Sequence, residues 1–214
     1  MTAFCLDCRR CSRLAGFLDG VRAKHPGYHA RPVAPFGDAS PRLLIVGLAP
    51  GMHGANRSGR PFTGDYAGVL LYQTLHKFGF ADKPVSISAD DGLRLTGCRI
   101  TNAVKCLPPA NKPTGDEVRT CNAFLADEIA SLPNNSTLLA LGGIAHKAVL
   151  MAAAEKAAAH RFGHGARHRL ENGLTLFDSY HCSRYNTQTR RLTAAMFERV
   201  FTDIRRFLDD RIAG

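Results

Sequence analysis

Residues 42–56 read Arg-Leu-Leu-Ile-Val-Gly-Leu-Ala-Pro-Gly-Met-His-Gly-Ala-Asn. The first seven (RLLIVGL) are almost continuously apolar and end on a turn of Ala, Pro and Gly. A short apolar run bounded by turn residues reads as a strand covered on both faces, as in a parallel sheet. Three more such runs follow, at 99–104 (RITNAV), 137–141 (TLLAL) and 174–179 (LTLFDS). Helical stretches alternate with them, at about 66–77, 115–131 and 144–159. A last helix, about 189–212, carries Leu192, Met196, Val200, Ile204 and Leu208 at four-residue steps. Strands alternating with helices predict an α/β domain with a mostly parallel sheet.

Such sheets place their sites outside the carboxyl ends of the strands. Four loops are therefore informative: residues 49–56, residues 105–109, Gly142-Gly143, and Tyr180-His181-Cys182-Ser183. Gly, Pro, Asn and His gather on one expected edge of the sheet.

Composition narrows the classes. At 214 residues and 45% hydrophobic, the chain is expected to form one domain over 1–214, and disorder is excluded. No apolar run approaches the roughly 18 to 20 residues that span a bilayer. The start, MTAFCLDCRRCSRL, lacks an apolar signal region, so a cytoplasmic protein is expected. The formal charge of +10 makes a polyanion a plausible partner. Residues 156–169 (KAAAHRFGHGARHR) hold four Lys/Arg, three His and no acid, a composition suited to phosphate contacts.

Seven cysteines in a reducing compartment argue against a disulfide framework. Cys8 and Cys11 form a C-x-x-C, and Cys5 and Cys8 form another. Cys106 follows the second strand, and Cys121 falls on the helix after it. Four thiolates suit either tetrahedral zinc or a [4Fe–4S] cluster, and the wide second pair leans toward iron–sulfur. Scattered core thiols are the plain alternative. Cys98, at the start of a strand, reads as core.

With these residues in view, the sequence resembles the uracil-DNA glycosylase superfamily, and within its iron–sulfur branches family 5, the type B enzymes. The likeness is carried by Cys8-Arg-Arg-Cys11-Ser-Arg-Leu14, by the stretch from Gly47 through Pro61-Phe62-Thr63-Gly64-Asp65, by Thr101-Asn102-Ala-Val-Lys-Cys106-Leu-Pro-Pro-Ala-Asn-Lys-Pro113, and by Ser179-Tyr-His181-Cys-Ser-Arg-Tyr-Asn-Thr-Gln-Thr189. It implies a three-layer α/β/α sandwich around a four-stranded parallel sheet. It also implies a [4Fe–4S] cluster on Cys8, Cys11, Cys106 and Cys121, the Arg-Leu pair after the C-x-x-C favouring Cys8 and Cys11 over Cys5. The implied activity is monofunctional hydrolysis of the N-glycosidic bond of uracil in DNA, leaving an abasic site. Family 5 further suggests hypoxanthine, xanthine and ethenocytosine as substrates. A nucleic-acid-binding protein with an iron–sulfur cluster or zinc, without catalysis, is the alternative.

The resemblance, with the chemistry it implies, assigns expected roles. A glycosylase must flip its nucleotide out of the stack into a pocket. Phe62 is the expected floor for the base, since stacking on an aromatic ring contributes about 1 to 3 kcal/mol. Asn102 offers a donor and an acceptor to the edge of uracil. His181 is expected to stabilise charge growing on the departing base, in the manner of an oxyanion hole. The sugar becomes cationic, and the resemblance implies that Asp65 stabilises it and orients water, Leu48 and Ala49 standing where other branches carry an acid or amide. Asp65 is equally suited to cap the helix starting at Tyr66. Backbone at Ala49 and Gly51 and the amide of Asn56 are candidates to hold water or phosphate. The loop 182–186 is expected to enter the minor groove, with Arg184 or Tyr185 as wedge and Ser183 and Asn186 holding phosphate or the loop itself. Cys182 stands where the superfamily often has Pro, which predicts a less rigid step. The resemblance implies DNA, single- or double-stranded, as the partner, and a monomer in the cytoplasm or the bacterial or archaeal nucleoid is expected.

Overall fold

A computed structural model of the chain describes residues 4–211. Its elements are α1 (Ser12–Lys24), β1 (Phe36–Gly37), β2 (Leu43–Gly47), α2 (Ala55–Ser58), α3 (Tyr66–Lys77), β3 (Cys98–Asn102), α4 (Gly115–Ala130), β4 (Thr137–Leu141), α5 (Gly143–Ala152), β5 (Arg167–Arg169), β6 (Thr175–Ser179), α6 (Arg184–Gln188) and α7 (Ala194–Asp210). The sheet order is β1-β3-β2-β4-β6-β5. The four inner strands are parallel, so the expected four-stranded parallel core is present. Two short strands are added at its edges, both antiparallel. Neither has the apolar run by which the inner strands were legible.

Side chains alternate across the sheet and feed two cores. Leu44, Val46, Leu138, Ala140 and Leu176 pack with α1, α4 and α5 through Leu18, Leu125 and Val149. Leu43, Ile45, Leu139, Leu141 and Phe177 pack with α3 and α7 through Leu71, Leu75, Phe197, Phe201 and Ile204. These are the three layers of an α/β/α sandwich. Every residue of β2, β4 and β6 is buried, as doubly covered strands require. No helix among the described residues is long and apolar enough to cross a membrane.

Several expected boundaries move. The helix expected to run through residue 159 stops at Ala152, despite continuing alanines. Ala154 adopts φ +58°, and the Glu155 N–H returns to the Leu150 carbonyl at 2.8 Å, a Schellman-type stop. The last helix begins at Ala194, not 189, because Arg190 has φ +57° and Thr193 caps the new helix by accepting from the Met196 N–H. Its expected end at residue 212 lies outside the described residues. Helix α1 was missed: Leu14, Leu18 and Val21 have helical spacing, but Gly16 and Gly20 interrupt the signal.

Candidate active site

The loops after β2, β3 and β6 and the turn before α3 converge on one cavity of about 360 Å³. Its walls include Ala49, Gly51, Phe62, Asp65, Asn102, Asn111, His181 and Ser183. That volume lies within the range of small-molecule sites, roughly 300–1,000 Å³. Strand β3 delivers Asn102 as its last residue, and β6 delivers His181 two residues past its end.

Gly47 makes the floor possible. A methyl group there would overlap Asn102 Oδ1 and stand 2.7 Å from the Phe62 ring. Phe62 is buried in the left-handed region at φ +54°, which costs a non-glycine residue on the order of 1–3 kcal/mol. Its surroundings hold it there. Tyr72 Oη donates to the Pro61 carbonyl at 2.8 Å. The buried Arg60 donates to Asp91 at 2.7 Å and to Ser86 at 3.0 Å, tying the turn to a distant loop. The Phe62 and His181 rings are stacked, with centroids 5.8 Å apart and planes 28° from parallel.

Asp65 caps α3 by accepting from the Gly68 N–H at 2.9 Å through Oδ1. Its other oxygen faces the turn after β2, where a methyl at Gly54 would overlap it and one at Gly51 would sit 3.7 Å away. Burial raises the proton affinity of Asp65 above that of an ordinary carboxylate, and the N–H groups of Gly68 and Ala67 oppose the rise. Burial lowers the pKa of His181 to about 4, so its imidazole is neutral at pH 7. Asn102 Oδ1 is buried without a hydrogen-bond partner. An unpaired buried acceptor costs about 1–3 kcal/mol and marks a place for a ligand or water.

Two expectations need correction. Asn56 does not line the cavity; it is fully buried, with neither amide atom paired. The expected loop 182–186 folds in part into the one-turn helix α6, capped by Ser183. Asn186 Nδ2 donates to the His181 carbonyl at 2.8 Å, so this amide holds the turn. Cys182 is fully buried and anchors the step where proline was absent. Tyr185 is 70% exposed, and the Arg184 guanidinium lies 5.7 Å from the centre of the Tyr66 ring. Asn111 was missed in the sequence. Its signal was an asparagine in a Pro-Pro-Ala-Asn turn, where it takes φ +55°.

Cys8, Cys11, Cys106 and Cys121 line a second, apolar hollow with Leu14, Val104 and Phe124, and exposed Cys5 stands at its rim. Burial first, and then the charges of the neighbouring thiols, push Cys106 up to about 12. Thiols so placed need a positive centre to become thiolates. Cys121 Sγ accepts from the Lys105 N–H at 3.3 Å. Tetrahedral zinc brings sulfurs to about 3.8 Å, given its bonds of about 2.3 Å. Four thiols around one apolar hollow are a donor set that suits iron–sulfur ligation. Cys98 is fully buried, as expected of core.

Comparison with known proteins agrees with this geometry. The family model of the uracil DNA glycosylase superfamily matches residues 34–205. A type-5 uracil-DNA glycosylase of Thermus thermophilus is 47% identical over 204 residues, covering 93% of each chain. A type-5 uracil-DNA glycosylase of Mycobacterium tuberculosis is 42% identical over 208 residues, 93% of this chain and 77% of the relative. A type-4 uracil-DNA glycosylase of Pyrobaculum aerophilum is 35% identical over 58% of this chain and 55% of its own. The chain belongs to the uracil DNA glycosylase superfamily, in its type-5 group.

Proposed function

We propose that the protein is a monofunctional uracil-DNA glycosylase, hydrolysing the N-glycosidic bond and leaving an abasic site. The observation that carries this reading is the stacked pair Phe62 and His181 on a cavity shared with Asp65 and Asn102. The everted uracil lies against the Phe62 ring, and the unpaired Asn102 Oδ1 accepts its N3–H. As the bond breaks, electrons pass to the base, and the neutral His181 presents an N–H to the growing charge at O2. Ionised Asp65, fixed by the start of α3, faces the cationic sugar and holds the attacking water. Backbone at Ala49 and Gly51 frames that water, and the Asn56 backbone N–H holds the turn by donating to the Gly51 carbonyl at 3.0 Å. Deaminated purines and ethenocytosine are further substrates on this reading, supported by the roomy cavity.

Arg184 and exposed Tyr185 fill the stack vacated by the base, and Ser183 meets backbone phosphate. Cys8, Cys11, Cys106 and Cys121 would hold a [4Fe–4S] cluster, whose contribution is structural because the hydrolysis transfers no electrons. These residues join the segment before α1 to the strand that carries Asn102. Residues 1–214 act as one domain and as a monomer, on DNA in the cytoplasm or nucleoid.

The test is alkali-induced scission of oligonucleotides that each carry one altered base. Cleavage at uracil is expected, with hypoxanthine, xanthine and ethenocytosine also accepted. Tight binding of uracil DNA without scission would instead identify a binding protein.

A further inference from the structure

The histidines of the basic stretch 156–169 serve a purpose besides phosphate contact. Arg167 packs over the Phe207 ring at 4.1 Å, and His168, beside it on β5, turns inward to Asp178 of β6. Asp178 is fully buried. His146 Nδ1, from α5, lies 2.8 Å from Asp178 Oδ1, and His168 Nε2 lies 3.0 Å from Oδ2. His146 is 2% exposed and His168 11%.

The protons on His146 can be counted. Its Nε2 lies 2.9 Å from the carbonyl oxygen of His160. A carbonyl only accepts, so Nε2 carries the hydrogen. In the neutral ring, Nδ1 then turns a lone pair toward a carboxylate oxygen. Two lone pairs held 2.8 Å apart in a dry interior require a positive charge between them. A histidine whose second N–H is fixed by a carbonyl is also the usual arrangement of a metal ligand. Tetrahedral donors about 2.05 Å from one ion stand about 3.3 Å apart, and one ligand atom from each of the three residues already lies within 4.8 Å of the others.

We propose that His146, His168 and Asp178 bind one divalent transition-metal ion of the zinc class, through two imidazole nitrogens and both carboxylate oxygens. Such a nitrogen–oxygen donor set suits zinc, whereas the sulfur-only hollow does not share these residues. The ion fastens the edge strand β5, and through His160 the basic stretch, to β6. Strand β6 carries His181 at its exit, so the same ion stiffens the mount of the candidate active site.

The test uses the full chain purified without oxygen, its iron and visible absorption recorded throughout. The protein is washed with a chelator, equilibrated with zinc chloride and analysed for metal. About one zinc per chain in addition to iron is expected, with a rise of several degrees in Tm. His168→Gln, on the edge strand, should keep its iron and lose both the zinc and the rise. Zinc X-ray absorption should show nitrogen and oxygen neighbours only. Failure of the wild type to retain zinc would overturn the proposal, leaving a proton to hold the trio. Equal zinc in His168→Gln, or a sulfur shell near about 2.3 Å, would also overturn it. Uracil excision is read separately, so a negative result leaves the glycosylase assignment untouched.

Discussion

The ring of His181 lies over that of Phe62, with centroids 5.8 Å apart, although one follows β6 and the other precedes α3. The contact exists because Gly47 leaves the end of β2 bare, so that Phe62 and Asn102 meet above it. Chemistry at this edge depends on backbone economy as much as on the polar groups.

Asp65→Asn separates charge from shape. Asparagine caps a helix as well as aspartate does, so α3 should be retained and stability should change by less than about 0.5 kcal/mol. The single-turnover rate of uracil excision should fall by about 10²–10³-fold, the loss typical when a group facing transition-state charge is removed. DNA affinity should be nearly unchanged. A rate close to wild type would remove Asp65 from its assigned role.

Gly47→Ala tests the floor. The added methyl overlaps Asn102 Oδ1 and presses on the Phe62 ring, so both groups must shift. Misplacement by about 1 Å can cost 10²-fold in rate. Excision should fall by about that factor in cluster-loaded protein whose circular dichroism matches the wild type. An unaltered rate would show that the ring and amide need not hold their positions.

The pH dependence has a definite sign. His181 has a folded pKa of about 4 against an ordinary 6.5, so between these values the unfolded chain binds the extra proton. Stability contributed at neutral pH is therefore lost as pH falls from about 6.5 toward 4. His181→Asn should flatten that part of the curve, measured as urea midpoints at several pH values. Asp65 carries a raised pKa, so excision should fail on the acid side at a pH above the ordinary carboxylate range. An identical acid profile of stability in His181→Asn would contradict the neutral imidazole.

Cys106→Ala should abolish visible absorption and reduce soluble yield, since this buried thiol shares one hollow with Cys8, Cys11 and Cys121. Iron analysis checks the ligand directly. Full iron and an unchanged spectrum would exclude Cys106 from the set.

Tyr185→Ala should slow excision from duplex DNA more than from single strands, because only a duplex leaves a gap to be filled. The residue is 70% exposed, so folding should be unaffected. Equal effects on both substrates would assign Tyr185 some other task.

Much of the fold was legible because the inner strands are buried on both faces and read as unbroken apolar runs. The stretch 137–141 matches β4 at both ends for that reason. Features set by tertiary closure were illegible. The alanines after Ala152 favour helix, yet Glu155 ends it by closing back on Leu150 and accepting from the Glu171 N–H. The edge strand β5 reads as charged because its arginines face out and its histidine faces in.

At the candidate site, Phe62, Asp65, Asn102 and His181 stood in strings long enough to be recognised, and they line one cavity. Asn56 stood in the same string but is turned into the protein, and spacing alone does not report which way a side chain of a one-turn helix faces. Asn111 was overlooked because its left-handed backbone follows from packing of the Pro-rich turn. The trio His146, His168 and Asp178 joins three separate elements and has no linear signature.

The most direct measurement is a crystal structure of Asp65→Asn with a duplex carrying one uracil. The uracil should lie outside the helix, its face roughly 3.5–4 Å from the Phe62 ring, its O2 toward His181, and its C1′ facing residue 65. A uracil stacked in the duplex, or held in any other hollow, would contradict the shared role of these residues.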